Sequence, residues 1–267
     1  MSDSFQTRTE LLIGVENLER LRKAHVLVVG LGGVGGYAAE MLCRAGVGRM
    51  TIVDGDNVSV SNINRQIIAL RSTVGESKAA LFKQRFHDIN PDCEVTALNV
   101  FLRDEEMISL LETGSLTQRR DNDSERRQSS NQAIKQSYDY VVDAIDTLSP
   151  KVFLLYHAHR LGLPIVSAMG SAGKLDPSKI EVTDVAQSHT CPLAAMVRKK
   201  LHKLGVREGF KVVFSSEKVD ESAMIEDPSQ NKRTTVGVIS YMPAVFGCYC
   251  ASTVINDLIE RKKSLTH

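Results

Sequence analysis

Three groups of side chains have the types and spacing to handle a phosphorylated ligand. Gly30, Gly32, Gly33 and Gly35, in VLVVGLGGVGG, contain a G-x-G-x-x-G spacing between an apolar run and a helical pattern. Such a turn brings the backbone close to a phosphate and aims unpaired amides from the helix start at it. The second group is the polar stretch DGDNVSVSNINRQ, with Asp54, Asp56, Ser61, Asn62 and Arg65, followed by Lys78 in VGESKAALF. An acidic residue a little over twenty positions after the first glycine can accept a ribose hydroxyl, which suits Asp54. An arginine fork and a lysine point charge can together clamp a polyphosphate; the competing reading is a solvated loop before an ordinary helix. The third group is Asp143 and Asp146 in VVDAIDTLSPK. Asp146 is a hard oxygen ligand suited to Mg²⁺, and also a candidate cap for the helix that follows.

These residues need strands to hold them at one edge. Val26–Val29, the glycine turn and a helix, then Met50–Val53 ending on Asp54, make a βαβ unit. Further strands are expected over Cys93–Val100, Tyr138–Val142, Leu163–Ala168, Ile180–Val185 and Lys211–Ser215. Helices are expected over Glu16–Ala24, from Lys78 to about Asn90, and over Asp104–Glu112, Pro150–Leu161 and Pro192–Leu204, with a last one from about Pro243 to Arg261. Arg8–Gly14 reads as a short arm, Met169–Lys174 as a small-residue loop on the site edge, and Ser216–Thr235 as a long polar loop. The alternation predicts an α/β class: a doubly wound, mostly parallel sheet with helices on both faces.

Composition narrows the function. Thirty-three basic and 32 acidic residues leave a net charge of +1, so no global basic field advertises nucleic acid. A local cluster remains in Arg198, Lys199, Lys200, Lys203 and Arg207, around one helix. The five cysteines contain no C-x-x-C pair, which argues against a disulfide framework or a four-thiolate zinc site and favours a reducing cytoplasm. Cys43, Cys248 and Cys250 lie in apolar runs and read as core, whereas Cys191 lies in a polar setting before Pro192. His157 and His159 are two apart on a helix and do not share a face, so they are not read as metal ligands. The tract 113–137 is polar, carries Arg119, Arg120, Arg126 and Arg127, and reads as a disordered insert. MSDSFQTRTE lacks a charged-then-apolar signal pattern, so export is not expected. Val236–Asn256 has no charge and is long enough to span a membrane, but Pro243 and its small polar residues favour a strand ending near Tyr241 and then a buried helix.

In order along the chain, the glycine turn, D-x-D-x-V-x-x-S-N-x-x-R-Q, G-x-x-K ending at Lys78 and D-x-x-D together resemble the E1-like adenylating enzymes, among them the ubiquitin-activating, ThiF, MoeB and HesA proteins. The likeness implies a single E1-like, Rossmann-type ATP-binding domain over 1–267, with 171–267 supplying substrate-side loops. By that likeness, Gly30, Gly32, Gly33 and Gly35 cradle ATP and Asp54 takes the ribose. Asp56 and Ser61 share the nucleotide motif, while Asn62, Arg65 and Lys78 bind phosphates. Asp146 holds Mg²⁺ at the reacting α-phosphate, and Arg8 is an arginine finger reaching into the other subunit of a homodimer. The segments RTELLIG, VSNINRQIIAL, INPDCEV, KLDPSKIEVTD and PLAAMVRKKL resemble the branch that dehydrates threonylcarbamoyladenosine in tRNA. That branch implies a modified tRNA as substrate, and a cysteine desulfurase with its sulfur acceptor as partners. Relatives that activate ubiquitin-like sulfur carriers usually carry two C-x-x-C zinc pairs, so the lack of any weighs against them. A nicotinamide-dependent oxidoreductase would leave Arg65, Lys78 and Asp146 unexplained.

Overall fold

The computed structural model describes residues 4–114, 116, 138–226 and 234–260. β1 (His25–Val29) is buried along its whole length, as a strand covered by helices on both faces must be. It pairs in parallel with β2 (Arg49–Val53) on one side and β4 (Tyr140–Asp143) on the other. β3 (Glu94–Leu98) lies beyond β2, and β5 (Ile165–Ala168) and β7 (Lys211–Ser215) lie beyond β4. β6 (Ile180–Asp184) closes the far edge antiparallel to β7, giving the order β3-β2-β1-β4-β5-β7-β6. The chain thus winds outward from β1 in one direction and then resumes on its other side. That reversal opens a crevice outside the carboxyl ends of β1 and β4.

Alternation along the strands divides the core in two. Val26 and Val28 face one layer with α2 (Val15–Lys23), α3 (Gly35–Ala45), α4 (Lys78–Ile89) and α8 (Tyr241–Glu260), packed through Leu21, Leu42, Phe82, Phe86 and Phe246. Leu27 and Val29 face the other, with α5 (Asp104–Thr113), α6 (Leu148–Arg160) and α7 (Pro192–Lys203), packed through Leu110, Leu155 and Val197. The residues after 171 supply β6, β7, α7 and α8 to this same sheet and its layers.

Three expectations change. The arm at Arg8–Gly14 is a helix, α1 (Thr7–Ile13), which buries none of its residues. The polar loop at Ser216–Thr235 carries a two-stranded hairpin, β8 (Met224–Glu226) with β9 (Thr234–Val236). No strand runs to Tyr241; Tyr241 opens α8, and Pro243 occupies its first turn, where a missing N–H costs no helical bond. Tyr241–Ile259 is long and apolar enough to cross a membrane, but Met242, Phe246, Cys250 and Val254 are buried against α3 and the sheet. Uniform apolarity here reflects a helix packed on several sides. Of the insert, Thr113 and Gly114 close α5 and Leu116 is described; its other residues and the basic Arg261, Lys262 and Lys263 lie outside the described residues.

Candidate active site

The glycine turn and the loop after β4 meet at the crevice. Gly30 has φ +90, and a Cβ there would stand 2.7 Å from the Ala144 carbonyl. A Cβ on Gly35 would stand 1.7 Å from the Gly30 carbonyl, so α3 can begin this close to β1 only without side chains. The Ala144 N–H donates to Val29 O at 2.9 Å and the Gly30 N–H to Val53 O at 2.8 Å, which ties the two loops to the strand ends. Gly32 lies beside Gln66, and Gly33 lies against Arg65 and Pro243. Gln66 is buried, and its Oε1 is one of three buried side-chain atoms among the described residues with no partner. An orphaned acceptor beside the turn is what a site built for a polar ligand shows.

Asp54, at the end of β2, is already oriented. Its Oδ2 accepts the Leu31 N–H at 2.7 Å and its Oδ1 the Asp56 N–H at 2.8 Å, leaving further lone pairs for a ribose hydroxyl. Burial raises its carboxyl above the ordinary value, against the opposing pull of Lys78 and these amides. Lys78 is 4 % exposed and opens α4; its Nζ lies 2.8 Å from Asp56 Oδ2 and 4.0 Å from Asp54 Oδ1. Asp56 is thus the nearest partner of the lysine.

Asn62 and Ser61 shape the loop. Asn62 Oδ1 accepts the Ser59 N–H at 3.0 Å, and the Ser61 hydroxyl lies 2.9 Å from that of Ser59. The Ser61 carbonyl and Asn64 Oδ1 accept from Arg65 Nη1 at 2.8 and 3.0 Å. Arg65 is thus aimed by neutral acceptors, which leave its charge uncancelled.

Beyond Asp54, the ends of β2 and β3 form a cavity of about 480 Å³ lined by Gly55, Asn99, Val100, Phe101, Arg103 and Glu106. Phe101 is 71 % exposed, an unusual position for a large aromatic side chain. Sequence reading missed this part; an exposed phenylalanine just past a strand, in NVFLRDEE, was its only signal.

Asp146 is exposed on the β4–α6 loop. The N-cap position of α6 is the next residue, Thr147. Asp143 turns away from the crevice and is fully buried against Lys151 at 2.7 Å. Among the described residues no three His, Cys, Asp or Glu side chains gather to hold a metal. A lone carboxylate at the rim fits Mg²⁺, which is commonly held by one or two carboxylates and the substrate's phosphates.

Arg8 does not join these groups within its own chain. Its neighbour Gln6 packs on Gly46, at the far end of α3 from the glycine turn, and is bonded by Arg22. One cysteine expectation reverses, that of Cys248, and Cys191 is buried in spite of its polar setting. Cys191 is buried, 2 % exposed, at the N-cap of α7. Cys248 is exposed, because α8 turns it away from α3 and the sheet. After β5, Lys174 is buried and donates to the Ser215 and Glu217 carbonyls, with burial holding its ammonium below the ordinary value.

A glycine turn, an oriented carboxylate and two cations around a switch-point crevice define a nucleotide-binding protein of the doubly wound α/β class. The chain belongs to the ThiF family, whose model matches residues 6–266. It is 37 % identical over 262 residues to the tRNA threonylcarbamoyladenosine dehydratase of Bacillus subtilis, covering 95 % of this chain and 94 % of that one. The E. coli tRNA N6-threonylcarbamoyladenosine dehydratase, solved with ATP, superposes with a TM-score of 0.81 at 32 % identity, covering 99 % of this chain and 98 % of that one. The same enzyme solved with AMP gives 0.81 at 33 % identity, covering 98 % of each chain.

Proposed function

We propose that this protein is an ATP-dependent adenylating enzyme that dehydrates threonylcarbamoyladenosine in tRNA to its cyclic form. The observation that carries this reading is the contact of the glycine turn with the Asp146 loop at the switch point, with Asp54 already set by the Leu31 amide. Amides of the turn receive phosphates and Asp54 the ribose, while the cavity at Phe101 receives the base. Arg65 and Lys78 stabilise charge on the phosphoryl oxygens as it develops. The substrate carboxylate attacks the α-phosphorus and pyrophosphate leaves. A nucleophile of the same threonylcarbamoyl moiety then attacks the acyl carbon and AMP departs, carrying away the oxygen lost as water. The protein's contribution is positioning and electrostatics. Asp146 would hold a Mg²⁺ ion here, which would supply further charge neutralisation.

Arg8 acts on a second protomer in this reading. It is exposed on α1 beside Leu11 and Leu12, which are 70 % and 85 % exposed, and it lies at the wrong end of α3 for its own site. A homodimer covers these leucines and delivers the guanidinium. The tRNA meets exposed Lys199, Lys200, Lys203 and Arg207, which begin roughly 10 Å down α7 from its site-facing start. The desulfurase pair rests on family likeness alone, and a tRNA substrate with unbridged cysteines supports a cytoplasmic location. Activation of a sulfur carrier through a thioester needs an accessible thiol, and burial of Cys191 weighs against it there.

The test is conversion of threonylcarbamoyladenosine-modified tRNA by the purified protein, read by nucleoside mass spectrometry with AMP and pyrophosphate release. Formation of the cyclic nucleoside with ATP, lost in Asp146→Ala, supports the reading. Failure to convert the tRNA, with AMP formed only on adding a ubiquitin-like carrier, overturns it.

A further inference from the structure

The loop that carries Asp146 is held from beneath by an ion pair that no step above uses. Asp143 and Lys151 are both fully buried, 2.7 Å apart. Lys151 Nζ also donates to the Ile145 carbonyl at 2.9 Å, and Asp143 Oδ1 accepts the Ile145 N–H at 3.1 Å. The Ser167 hydroxyl donates to Asp143 Oδ2 at 2.5 Å, anchoring the pair to β5. Both polar groups of Ile145, the residue before Asp146, are therefore fixed by one pair of opposite charges. On the other side of the loop, Gly30 and Gly35 press against Ala144. From α8 the pair meets Cys250, whose thiol burial pushes up to about 12 and keeps neutral.

Stability alone does not account for this arrangement. A buried ion pair is commonly no better for folding than apolar side chains of the same volume. Lys151 also stands in the first turn of α6, where the helix dipole disfavours a cation. What the pair provides that an apolar pair cannot is directional hydrogen bonding to the two peptide groups that flank Ile145.

We infer that Lys151 and Asp143 are positioning residues for the adenylation step, locking Ile145 so that Asp146 is presented at the reacting phosphate. The inference rests on the reading of Asp146 given above. The double variant Lys151→Met/Asp143→Asn removes both charges at nearly constant volume. It should fold, with hydrogen exchange of the 144–148 amides faster by at least about tenfold, the size of one lost hydrogen bond to a charged group, while β1 and β5 stay protected. Its kcat for adenylate formation should fall by a similar or larger factor, with the KM for ATP changed less than about threefold, because ribose and phosphates are held elsewhere. Ser167→Ala removes one bond to Asp143 without moving a charge; it should show the same pattern weakly and serves if the double variant does not fold. Asp146→Ala separates the two claims. If Asp146→Ala retains full activity, the reading of Asp146 falls, and the positioning role with it. If Asp146→Ala is inactive but the folded double variant, or Ser167→Ala in its place, exchanges and turns over like the wild type, the pair is core packing and the inference is overturned.

Discussion

Asp54→Asn is the substitution that most directly questions how the crevice holds a nucleotide. The Asp54 side chain is 9 % exposed and accepts two amides, one on each oxygen. An asparagine can satisfy only one of them; its NH₂ must face the other N–H, at a cost to folding of about 1–3 kcal/mol for an unsatisfied buried donor. The second loss concerns the ligand. A ribose hydroxyl donating to a carboxylate makes a charge-assisted bond worth about 1.5–3 kcal/mol, so the Kd for ATP should rise ~10- to 150-fold. Titration calorimetry on the folded variant measures the second loss, and thermal unfolding without nucleotide measures the first. Wild-type protein should lose a comparable factor against 2′,3′-dideoxy-ATP, whereas Asp54→Asn should discriminate little between the two nucleotides. If Asp54→Asn binds ATP within about threefold of wild type, or loses the same factor on removal of the hydroxyls, the carboxylate does not read the ribose.

Gly30→Ala places a side chain at φ +90 and 2.7 Å from the Ala144 carbonyl, so a loss of about 3 kcal/mol or more is expected, seen as a lowered Tm with ATP binding abolished. Phe101→Ala removes the aromatic wall of the cavity; with base stacking worth about 1–3 kcal/mol, ATP should bind ~5- to 150-fold more weakly at unchanged Tm. Burial, and secondarily Arg49, lowers the His25 pKa from 6.5 to about 4, while Asp139 and Glu94 oppose the shift. The unfolded chain then binds more protons between those values. Stability is whole above about 6.5 and falls as the pH drops toward about 4, and His25→Gln should flatten the Tm profile across that window. An unchanged slope would remove His25 as its source.

Much of this was legible before any coordinates. Continuous apolar runs between helical patterns specify a helix-covered parallel sheet, because only strands buried on both faces can be apolar on both. Glycines at G-x-G-x-x-G spacing fix a turn whose contacts exclude side chains, and Asp54 follows β2 in register with it. These signals are local, and sequence carries local signals well.

Tertiary structure decided what depends on distant neighbours. Asp143 and Asp146 look alike in VVDAIDTLSPK, yet one meets Lys151 and Ser167 in the core while the other is exposed on the β4–α6 loop. Lys78 reads as a free phosphate clamp until Asp56 is found beside it, 22 positions earlier in the chain. Cys248 leaves its expected place in the core, and Cys191 is buried in spite of its polar neighbours, because burial is set by which helix face meets the sheet and not by the polarity of adjoining residues. The sequence by itself determined the element types and the phosphate-binding turn. Only the folded chain decided which charges cancel and which remain to meet a ligand, because electrostatic pairing depends on separation in space.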